Sequence, residues 1–316
     1  MVERWRTGRP AGILARDLPR QTPSLPGPDT LANEIAATWL GHSTVLLQFG
    51  EVTVLTDPVW AHRVSPVPFA GPARWVPPML PLDALPPIDL VLQSHNHYDH
   101  FDRAATRALA QRNPRTQWCV PIGMGASLRG IGATQVREMD WWERADLPVA
   151  TRSGSATVQV GAVPAKHFSG RGMTDRDRSL WCGWTVSVGD GTVYFAGDSG
   201  YHPEFATVAQ RNGPFDLTIL PIGAYEPRWF MSRVHMNPEE AIAAWQSIAE
   251  VQELLHRKPA PPLLGVHWGT YRLTDEPMDE PPRRTRALWR DAGLDETLLW
   301  TLAHGETRRA PWLTSP

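Results

Sequence analysis

The segment Ser94-His95-Asn96-His97-Tyr98-Asp99-His100 places three imidazoles and one carboxylate directly after an apolar run at 88–93. That run predicts a buried strand. Side chains two apart in an extended chain point the same way, so His95 and His97 can bind one ion. Asp99 and His100 then lie where the chain turns toward a helix. Four ligand-type side chains this close together would carry a heavy desolvation cost unless a cation offset it. The segment therefore predicts a metal-binding loop.

Composition narrows the class of protein. The chain has 316 residues, of which 42% are hydrophobic, enough for a sizeable core. The formal net charge is -2 and no long basic block is present, so no nucleic-acid partner is expected. Cys119 and Cys182 are the only cysteines, which excludes a disulfide framework and predicts two small core residues. Neither a signal peptide nor a membrane-length apolar run is found, and a cytoplasmic location is expected.

The first quarter of the chain consists of three segments that differ in composition and pattern. Residues 1–34 are rich in Pro, Gly and Arg and predict an irregular amino-terminal arm, which could fold back on the domain or contact a membrane surface. Residues 35–316 are predicted to form a single domain. The patterns at 36–49 and 52–57 predict two antiparallel strands joined at Gly50-Glu51. The proline-rich stretch 58–87 predicts a long ordered loop, either functional or a plain surface connection.

Helices are marked by their ends. A helix is predicted over 102–112, where Asn113-Pro114 terminates it. Asn237-Pro238-Glu239-Glu240 supplies an N-cap, a proline at the first helical position and a carboxylate three residues after the cap, for a helix that continues to 256. A further helix is predicted over 281–294, and a strand over 297–302.

Three more apolar runs each lead to one ligand-type residue. The runs 156–160, 192–197 and 262–266 lead to His167, Asp198 and His267. Any one of these residues could be a satisfied polar group or a turn residue. Layered α/β folds, however, bring several strand ends to one edge, where polar groups converge. Added to the four ligands of the metal loop, these three complete two coordination shells.

The loop and the strand ends together carry a family resemblance. The pattern HxHxDH, here His95, His97, Asp99 and His100, resembles the signature of the metallo-β-lactamase superfamily, and His at position 100 is similar to its two-metal hydrolases. Within it, the chain resembles the N-acylphosphatidylethanolamine-hydrolysing phospholipase D branch. The similar stretches lie at 41–44, 55–58, 86–89, 140–143, 195–201, 213–216, 221–231 and 267–270. The run PIGAYEPRWFM at 221–231 is specific to that branch.

The resemblance implies a fold and a ligand allocation. The implied fold is a four-layer αββα sandwich of the α/β class, with two mixed sheets face to face and the metal site at one edge. By similarity, one zinc ion would be held by His95, His97 and His167. The other would be held by Asp99, His100 and His267, and Asp198 would bridge the two. Iron or manganese would also suit these donors.

The resemblance also implies a reaction. A hydroxide between the two zinc ions would cleave a phosphodiester, converting N-acylphosphatidylethanolamine to N-acylethanolamine and phosphatidic acid. Asp198 would orient that hydroxide, and His235, just before a helix, is the predicted donor of a proton to the leaving alkoxide. Roles in supporting the ligands or the substrate are predicted for His42, Asp57, Tyr225, Trp229 and His304. Asp57 is expected to orient a ligand imidazole.

Substrate and partners follow from the same reasoning. A phospholipid or small-molecule substrate is expected, with peripheral membrane contact. Apolar walls beside the metals could come from Trp60, Phe69, Trp75, Trp229, Phe230 and Met231, although such residues also suit a packed core. The same site could instead hydrolyse a lactone, an ester, a thioester or another phosphodiester. A metal-binding scaffold without turnover is a third interpretation.

Overall fold

The computed structural model describes residues 14–31, 33–172 and 174–312. Its strands form two sheets of seven. The strands are β1 (Glu34–Gly41), β2 (Thr44–Phe49), β3 (Val52–Thr56), β4 (Leu90–Leu92), β5 (Gln117–Pro121), β6 (Gln135–Met139), β7 (Arg144–Thr151), β8 (Gly154–Val163), β9 (Gly183–Val188), β10 (Gly191–Phe195), β11 (Leu217–Pro221), β12 (Leu263–Val266), β13 (Leu299–Trp300) and β14 (Thr307–Pro311).

Each sheet is mixed, and the two sheets repeat the same plan. The first has the order β14-β1-β2-β3-β4-β5-β6, and the second has the order β13-β12-β11-β10-β9-β8-β7. Pairing is antiparallel from β14 to β3 and parallel from β3 to β6. In the second sheet it is antiparallel from β7 to β10 and parallel from β10 to β13. The parallel halves bring several strand carboxyl ends to a common edge.

Helices cover the outer face of each sheet. They are α1 (Arg103–Arg112), α2 (Gly125–Arg129), α3 (Glu204–Asn212), α4 (Arg228–Met231), α5 (Pro238–Val251) and α6 (Glu280–Asp291). Leu109 of α1 and Leu128 of α2 pack in one core with Leu55 of the first sheet. Residues of α3, α5 and α6 belong to the larger core that fills the space between the sheets and covers the second one. The predicted αββα sandwich is confirmed.

The hairpin at the start of the first sheet differs from the prediction. A single strand over 36–49 was wrong, because β1 ends at Gly41 and β2 begins at Thr44. Gly41 has φ +114 and His42 has φ +54, so the backbone reverses there. Glycine adopts such angles at little cost, whereas histidine does so less readily. The turn thereby carries His42 to the edge where the strand ends meet.

The helix signals were read correctly at their starts and less well at their ends. The Asp102 carboxylate accepts hydrogen bonds from the first turn of α1. Asn237 and Glu240 form a capping box at the start of α5, as predicted. The α-helix ends at Val251 rather than at 256, since 252–256 form a π-helical turn that Arg257 closes at φ +53. Of the predicted strand at 297–302, only Leu299–Trp300 pair, because Glu296–Leu298 form a 3-10 turn.

The described part of the predicted arm, 14–31, is irregular and lies against the sandwich. Leu18 and Leu31 are buried. The His304 amide donates to Pro19 O at 3.0 Å, and the Gln21 amide donates to His304 O at 2.8 Å. Residues 1–13 and 32 of that arm lie outside the described residues, and the boundary at 34/35 stays a prediction.

The loop at 58–87 is ordered, as predicted. It contains one 3-10 turn, Leu82–Ala84, and no β-strand. The Arg74 guanidinium fixes it by donating to Val59 O at 2.6 Å and to the Tyr271 hydroxyl at 3.0 Å.

Both cysteines are buried free thiols, again as predicted. None of the helices in the described ranges is long and apolar enough to cross a membrane.

Candidate metal centre

Seven predicted ligands meet at one edge of the sandwich, just beyond the carboxyl ends of four strands. The metal loop follows β4, His167 follows β8, Asp198 follows β10 and His267 follows β12. Three imidazoles form the first group. His97 Nδ1 lies 2.8 Å from His95 Nε2 and 3.2 Å from His167 Nε2. These three nitrogens face a common point, with two from the metal loop and one from the second sheet.

A second group adjoins the first. It contains Asp99, His100 and His267, as predicted, and also His42. Asp99 Oδ2 lies 3.5 Å from both His100 Nε2 and His267 Nε2. The His42 Nε2–H group donates to the same oxygen at 2.9 Å. His42, predicted for a supporting role, therefore contacts the second group through a hydrogen bond to Asp99.

Asp198 lies between the two groups. Its Oδ2 atom is 3.0 Å from His100 Nε2 and 3.2 Å from His267 Nε2 in the second group. The same atom is 3.8 Å from His167 Nε2 and 3.9 Å from His95 Nε2 in the first. A carboxylate that reaches both groups has the position that a bridging ligand requires.

His235 borders the same space. Its Nε2 atom is 4.0 Å from Asp198 Oδ2, and its ring lies beside those of His167 and His267. Burial lowers the pKa of His235 to about 3, although the charge of Asp198 opposes that shift. The ring is therefore neutral at pH 7, so that any proton it donates comes from a neutral N–H group.

The far nitrogens of several ligand imidazoles are held by the protein. His100 Nδ1–H donates to Asp57 Oδ2 at 2.6 Å, so Asp57 contacts one of the predicted ligand imidazoles. His95 Nδ1–H donates to the Ser94 hydroxyl at 2.9 Å, and that hydroxyl donates to Asp57 at 2.5 Å. His167 Nδ1–H donates to a main-chain oxygen, Val234 O, at 3.0 Å. These bonds fix the rings with Nε2 toward the centre.

Backbone strain concentrates at this edge. His42, Asp57 and His267 are non-glycine residues with φ of +54, +32 and +64. Residues held at such angles persist only where the surrounding structure imposes them, and they cluster at functional sites. Gly223 makes one of these conformations possible, because a Cβ atom there would lie 2.3 Å from His267 O.

The electrostatics of the centre are those of buried charges in close contact. Burial opposes ionisation of Asp198, but the charges of His100 and His267 hold its pKa well below the usual range. Burial opposes protonation of His267, yet Asp198 raises its pKa to about 9. In the first group, burial lowers the pKa values of His95 and His167 well below the usual range. The first group is thus a set of neutral imidazoles.

This donor set fits divalent metal ions. Neutral His95 and His167 donate from Nδ1, so each presents an Nε2 lone pair to the centre. His100 Nε2, His267 Nε2 and Asp198 Oδ1 are buried and have no hydrogen-bond partner among the described residues. Buried polar atoms without a partner are costly unless a cation satisfies them. Imidazole and carboxylate ligands suit zinc, iron or manganese.

Three other predicted site residues lie apart from these groups. Tyr225 is fully buried, and its hydroxyl donates to Glu280 at 2.8 Å. His304 is buried and contacts the Thr270 hydroxyl, which in turn accepts from the His42 amide at 2.6 Å. Trp229, on α4, is 81% exposed.

The predicted apolar walls divide in the same way. Trp60 and Trp75 pack against the two cores, whereas Phe69, Trp229 and Phe230 are exposed and Met231 is half-buried. The set therefore does not form one wall beside the ligands.

Several supporting residues were missed in the sequence. Gln93 Nε2–H donates to Asp57 and to the main-chain oxygens of His95 and His100. Glu276 accepts main-chain bonds from Ala224 and Glu226. The signal for Gln93 was a polar residue that ends an otherwise apolar strand. For Glu276 no local pattern was available, because its partners are fifty residues away.

A family model described as a beta-lactamase superfamily domain matches residues 52–268, from β3 to the residue after His267. The chain belongs to the metallo-β-lactamase superfamily. It is therefore a metal-dependent hydrolase of that superfamily, and the resemblance found in its sequence is confirmed.

Two named proteins and one solved structure are similar to this chain. The N-acyl-phosphatidylethanolamine-hydrolyzing phospholipase D 1 of Caenorhabditis elegans is 40% identical over 279 residues, covering 85% of this chain and 74% of that protein. A mitochondrial enzyme of the same name from Saccharomyces cerevisiae is 31% identical over 258 residues, covering 79% of this chain and 51% of that protein. A solved metallo hydrolase from Ignicoccus hospitalis has a TM-score of 0.61 at 19% identity, covering 87% of this chain and 98% of its own. At that identity the last match supports the fold alone.

Proposed function

We propose that this superfamily member is a two-zinc phosphodiesterase of the phospholipase D type, which hydrolyses N-acylphosphatidylethanolamine to N-acylethanolamine and phosphatidic acid. The observation that carries the proposal is the position of Asp198, whose one oxygen lies within 3.9 Å of nitrogens from both ligand groups. The choice of substrate rests on the name of the C. elegans relative at 40% identity.

In this proposal, seven residues would hold two metal ions and two others would orient the ligands. His95, His97 and His167 would hold one ion, Asp99, His100 and His267 the other, and Asp198 would contact both. Ions bound there would polarise a phosphoryl oxygen and lower the pKa of a bound water toward neutrality. His42 fixes Asp99 through a 2.9 Å hydrogen bond, and Asp57 fixes His100 through one of 2.6 Å. The protein thus supplies orientation before the substrate arrives.

His235 is the proposed proton donor to the leaving oxygen. It lies on the Asp198 side of the centre and is the last residue but one before the Asn237 cap of α5. The Met236 amide donates to Ser199 O at 3.0 Å, so the segment that carries His235 is tied to the segment that carries Asp198. This arrangement would keep the imidazole within reach of a phosphodiester bound between the two groups.

An apolar element close in sequence to His235 supports a lipid substrate. Trp229 and Phe230 are 81% and 60% exposed on α4, and their rings pack edge to face at 5.7 Å. Arg228 anchors this helix by donating to both carboxylate oxygens of Glu240. The Val234 carbonyl, three residues after α4, accepts from His167. The exposed aromatic pair is therefore linked by a short segment to the ligand group.

The test combines metal analysis with two substrates. Purified zinc-loaded protein is assayed on bis-p-nitrophenyl phosphate and on N-acylphosphatidylethanolamine in mixed micelles, and zinc per chain is measured on the same sample. Release of an N-acylethanolamine with two ions bound would support the proposal. If both phosphodiesters stayed intact while a lactone, ester or thioester was cleaved, the substrate assignment would be wrong. Two bound ions without hydrolysis of any substrate would favour the scaffold interpretation.

A further inference from the structure

We propose that Arg171 is a positioning residue for His97, and that it sets the affinity of the ion held by the three-histidine group; the inference rests on the two-ion centre proposed above. Arg171 lies in the segment that follows His167 and crosses over the metal loop. Arg171 was not a predicted site residue. Its guanidinium makes no hydrogen bond with a side chain of either ligand group.

The Arg171 guanidinium joins both ends of the metal loop. Its Nη1 atom donates to Asn96 O at 2.7 Å and to Phe101 O at 2.8 Å, and it lies 3.4 Å from His97 O. Asn96 and Phe101 flank the turn that carries His97, Asp99 and His100. Hydrogen bonds from a charged donor are stronger than neutral ones, so one side chain restrains the whole turn.

The reverse contacts tie the same two segments together. The Asn96 side-chain oxygen accepts from the Gly170 amide at 2.8 Å, and the Tyr98 hydroxyl donates to Arg171 O at 3.0 Å. The Arg171 guanidinium lies 3.8 Å above the Tyr98 ring, close enough for a cation–π interaction. The Asp175 carboxylate accepts from the Arg171 amide at 3.1 and 3.0 Å. The loop with His97 and the segment after His167 therefore move as one unit.

His97 depends on this unit more than its two partners do. His95 and His167 each donate from the far ring nitrogen to a protein oxygen, Ser94 Oγ or Val234 O. His97 turns Nδ1 toward the centre, and no described residue accepts from its Nε2 atom. Apart from the rings of His95 and His167, its ring contacts Phe168 edge to face, and its backbone is the part that Arg171 restrains. Outer residues that orient a ligand typically contribute 10- to 100-fold in metal affinity.

Arginine is needed at this position rather than any cation. A planar guanidinium can bond two carbonyls and stack on a ring at the same time, whereas an ammonium is a single point charge. Lysine would keep the charge and could still donate to main-chain oxygens, but it would lose the stacking on the Tyr98 ring. The nearby Arg176 provides a matched control, because it lies 4.5 Å above the Phe168 ring but pairs only with exposed Asp177.

The experiment measures zinc affinity in Arg171→Met, Arg171→Lys and Arg176→Met by competition with a chromophoric chelator. We expect one of two ions to bind about 10- to 100-fold more weakly in Arg171→Met. Arg171→Lys should show a smaller loss of the same ion, and Arg176→Met should match the wild type. Thermal unfolding of the metal-free proteins shows whether each variant folds, and the lysine variant carries the test if the methionine variant does not.

A double-mutant cycle assigns the affected ion. Combined with His97→Ala, Arg171→Met should cost no further affinity, because its effect passes through His97. Combined with His267→Ala, the two losses should add. Equal affinities in wild type and Arg171→Met, or additive losses with His97→Ala, would overturn the role of Arg171. A wild type that binds fewer than two ions would instead contradict the two-ion centre.

Discussion

Asp198 is the residue on which the proposed chemistry depends, because one of its oxygens lies close to nitrogens of both ligand groups. Its carboxylate is 4% exposed, and surrounding imidazoles keep it ionised against the cost of burial. The position of the Asp198 side chain and its charge can be tested separately. Asparagine would preserve the size of the side chain and remove the charge, so it isolates the electrostatic part of the role.

We expect Asp198→Asn to lower hydrolysis of both phosphodiesters by more than about 100-fold and to reduce zinc below two ions per chain. The matched control is Asp146→Asn, which changes an exposed carboxylate on β7. Initial rates and zinc content are measured on each protein. A variant that kept full activity with two ions would remove Asp198 from the site.

The role of Gly223 is steric, because it has no side chain to clash with the backbone of His267. A Cβ atom at this position would lie 2.3 Å from His267 O and 3.1 Å from Trp268 Cβ, so the backbone next to a ligand would have to shift. Gly223→Ala should destabilise the protein by about 1–3 kcal/mol, and it should also weaken zinc binding. Gly27→Ala, where nothing lies within 4 Å, is the control. Urea unfolding and zinc titration check both effects, and an unchanged zinc affinity would show that His267 tolerates the shift.

At the scale of elements, α4 is the feature that, under the proposed function, would favour a lipid over other phosphodiesters. Its two exposed aromatic side chains serve no core. Replacing both in the double variant Trp229→Ala, Phe230→Ala should lower the rate on N-acylphosphatidylethanolamine vesicles about tenfold or more, because each side chain would bury apolar area in a lipid surface. The rate on bis-p-nitrophenyl phosphate should not change.

A second exposed apolar pair provides the control for that prediction. Leu254 and Leu255 are 68% and 58% exposed in the π-helical turn after α5, away from the ligand groups. Replacing both with alanine should leave both rates unchanged. If the two double variants lowered the vesicle rate equally, or if neither did, α4 would have no specific part in lipid access.

The elements also show what a sequence can reveal. Alternation, caps and the density of ligands near His95 predicted the strand regions at 36–57 and 88–93, α1 and the start of α5, since those signals are local. The break at Gly41 was missed because β1 and β2 read as one apolar run. The restraint by Arg171 could not be predicted, because its partners lie about seventy residues earlier and are main-chain oxygens, which no residue type marks.

Over the whole molecule, the centre joins the two halves of the sandwich. The metal loop and His42 come from the first sheet, whereas His167, Asp198 and His267 come from the second. Ions bound there would link the sheets and would stabilise the folded state by mass action. The ligand set could be inferred from the resemblance, but the contact of His42 with Asp99 required the folded arrangement.

Metal removal should therefore lower stability as well as activity. We expect a chelator to reduce the melting temperature of the zinc-loaded protein by roughly 5–10 °C. Zinc should restore it, whereas magnesium, which prefers oxygen ligands, should not. Differential scanning calorimetry at fixed protein concentration gives the comparison. A melting temperature that is independent of zinc would contradict the view that the ions bridge the sheets.

The most direct test of the central claim follows the oxygen atom that water contributes. Zinc-loaded protein hydrolyses N-acylphosphatidylethanolamine in water enriched in oxygen-18, and both products are analysed by mass spectrometry. Attack on phosphorus predicts label in phosphatidic acid, none in the N-acylethanolamine, and loss of both products in Asp198→Asn. Release of a free fatty acid, or label in the N-acylethanolamine, would contradict a phospholipase D type reaction at this centre.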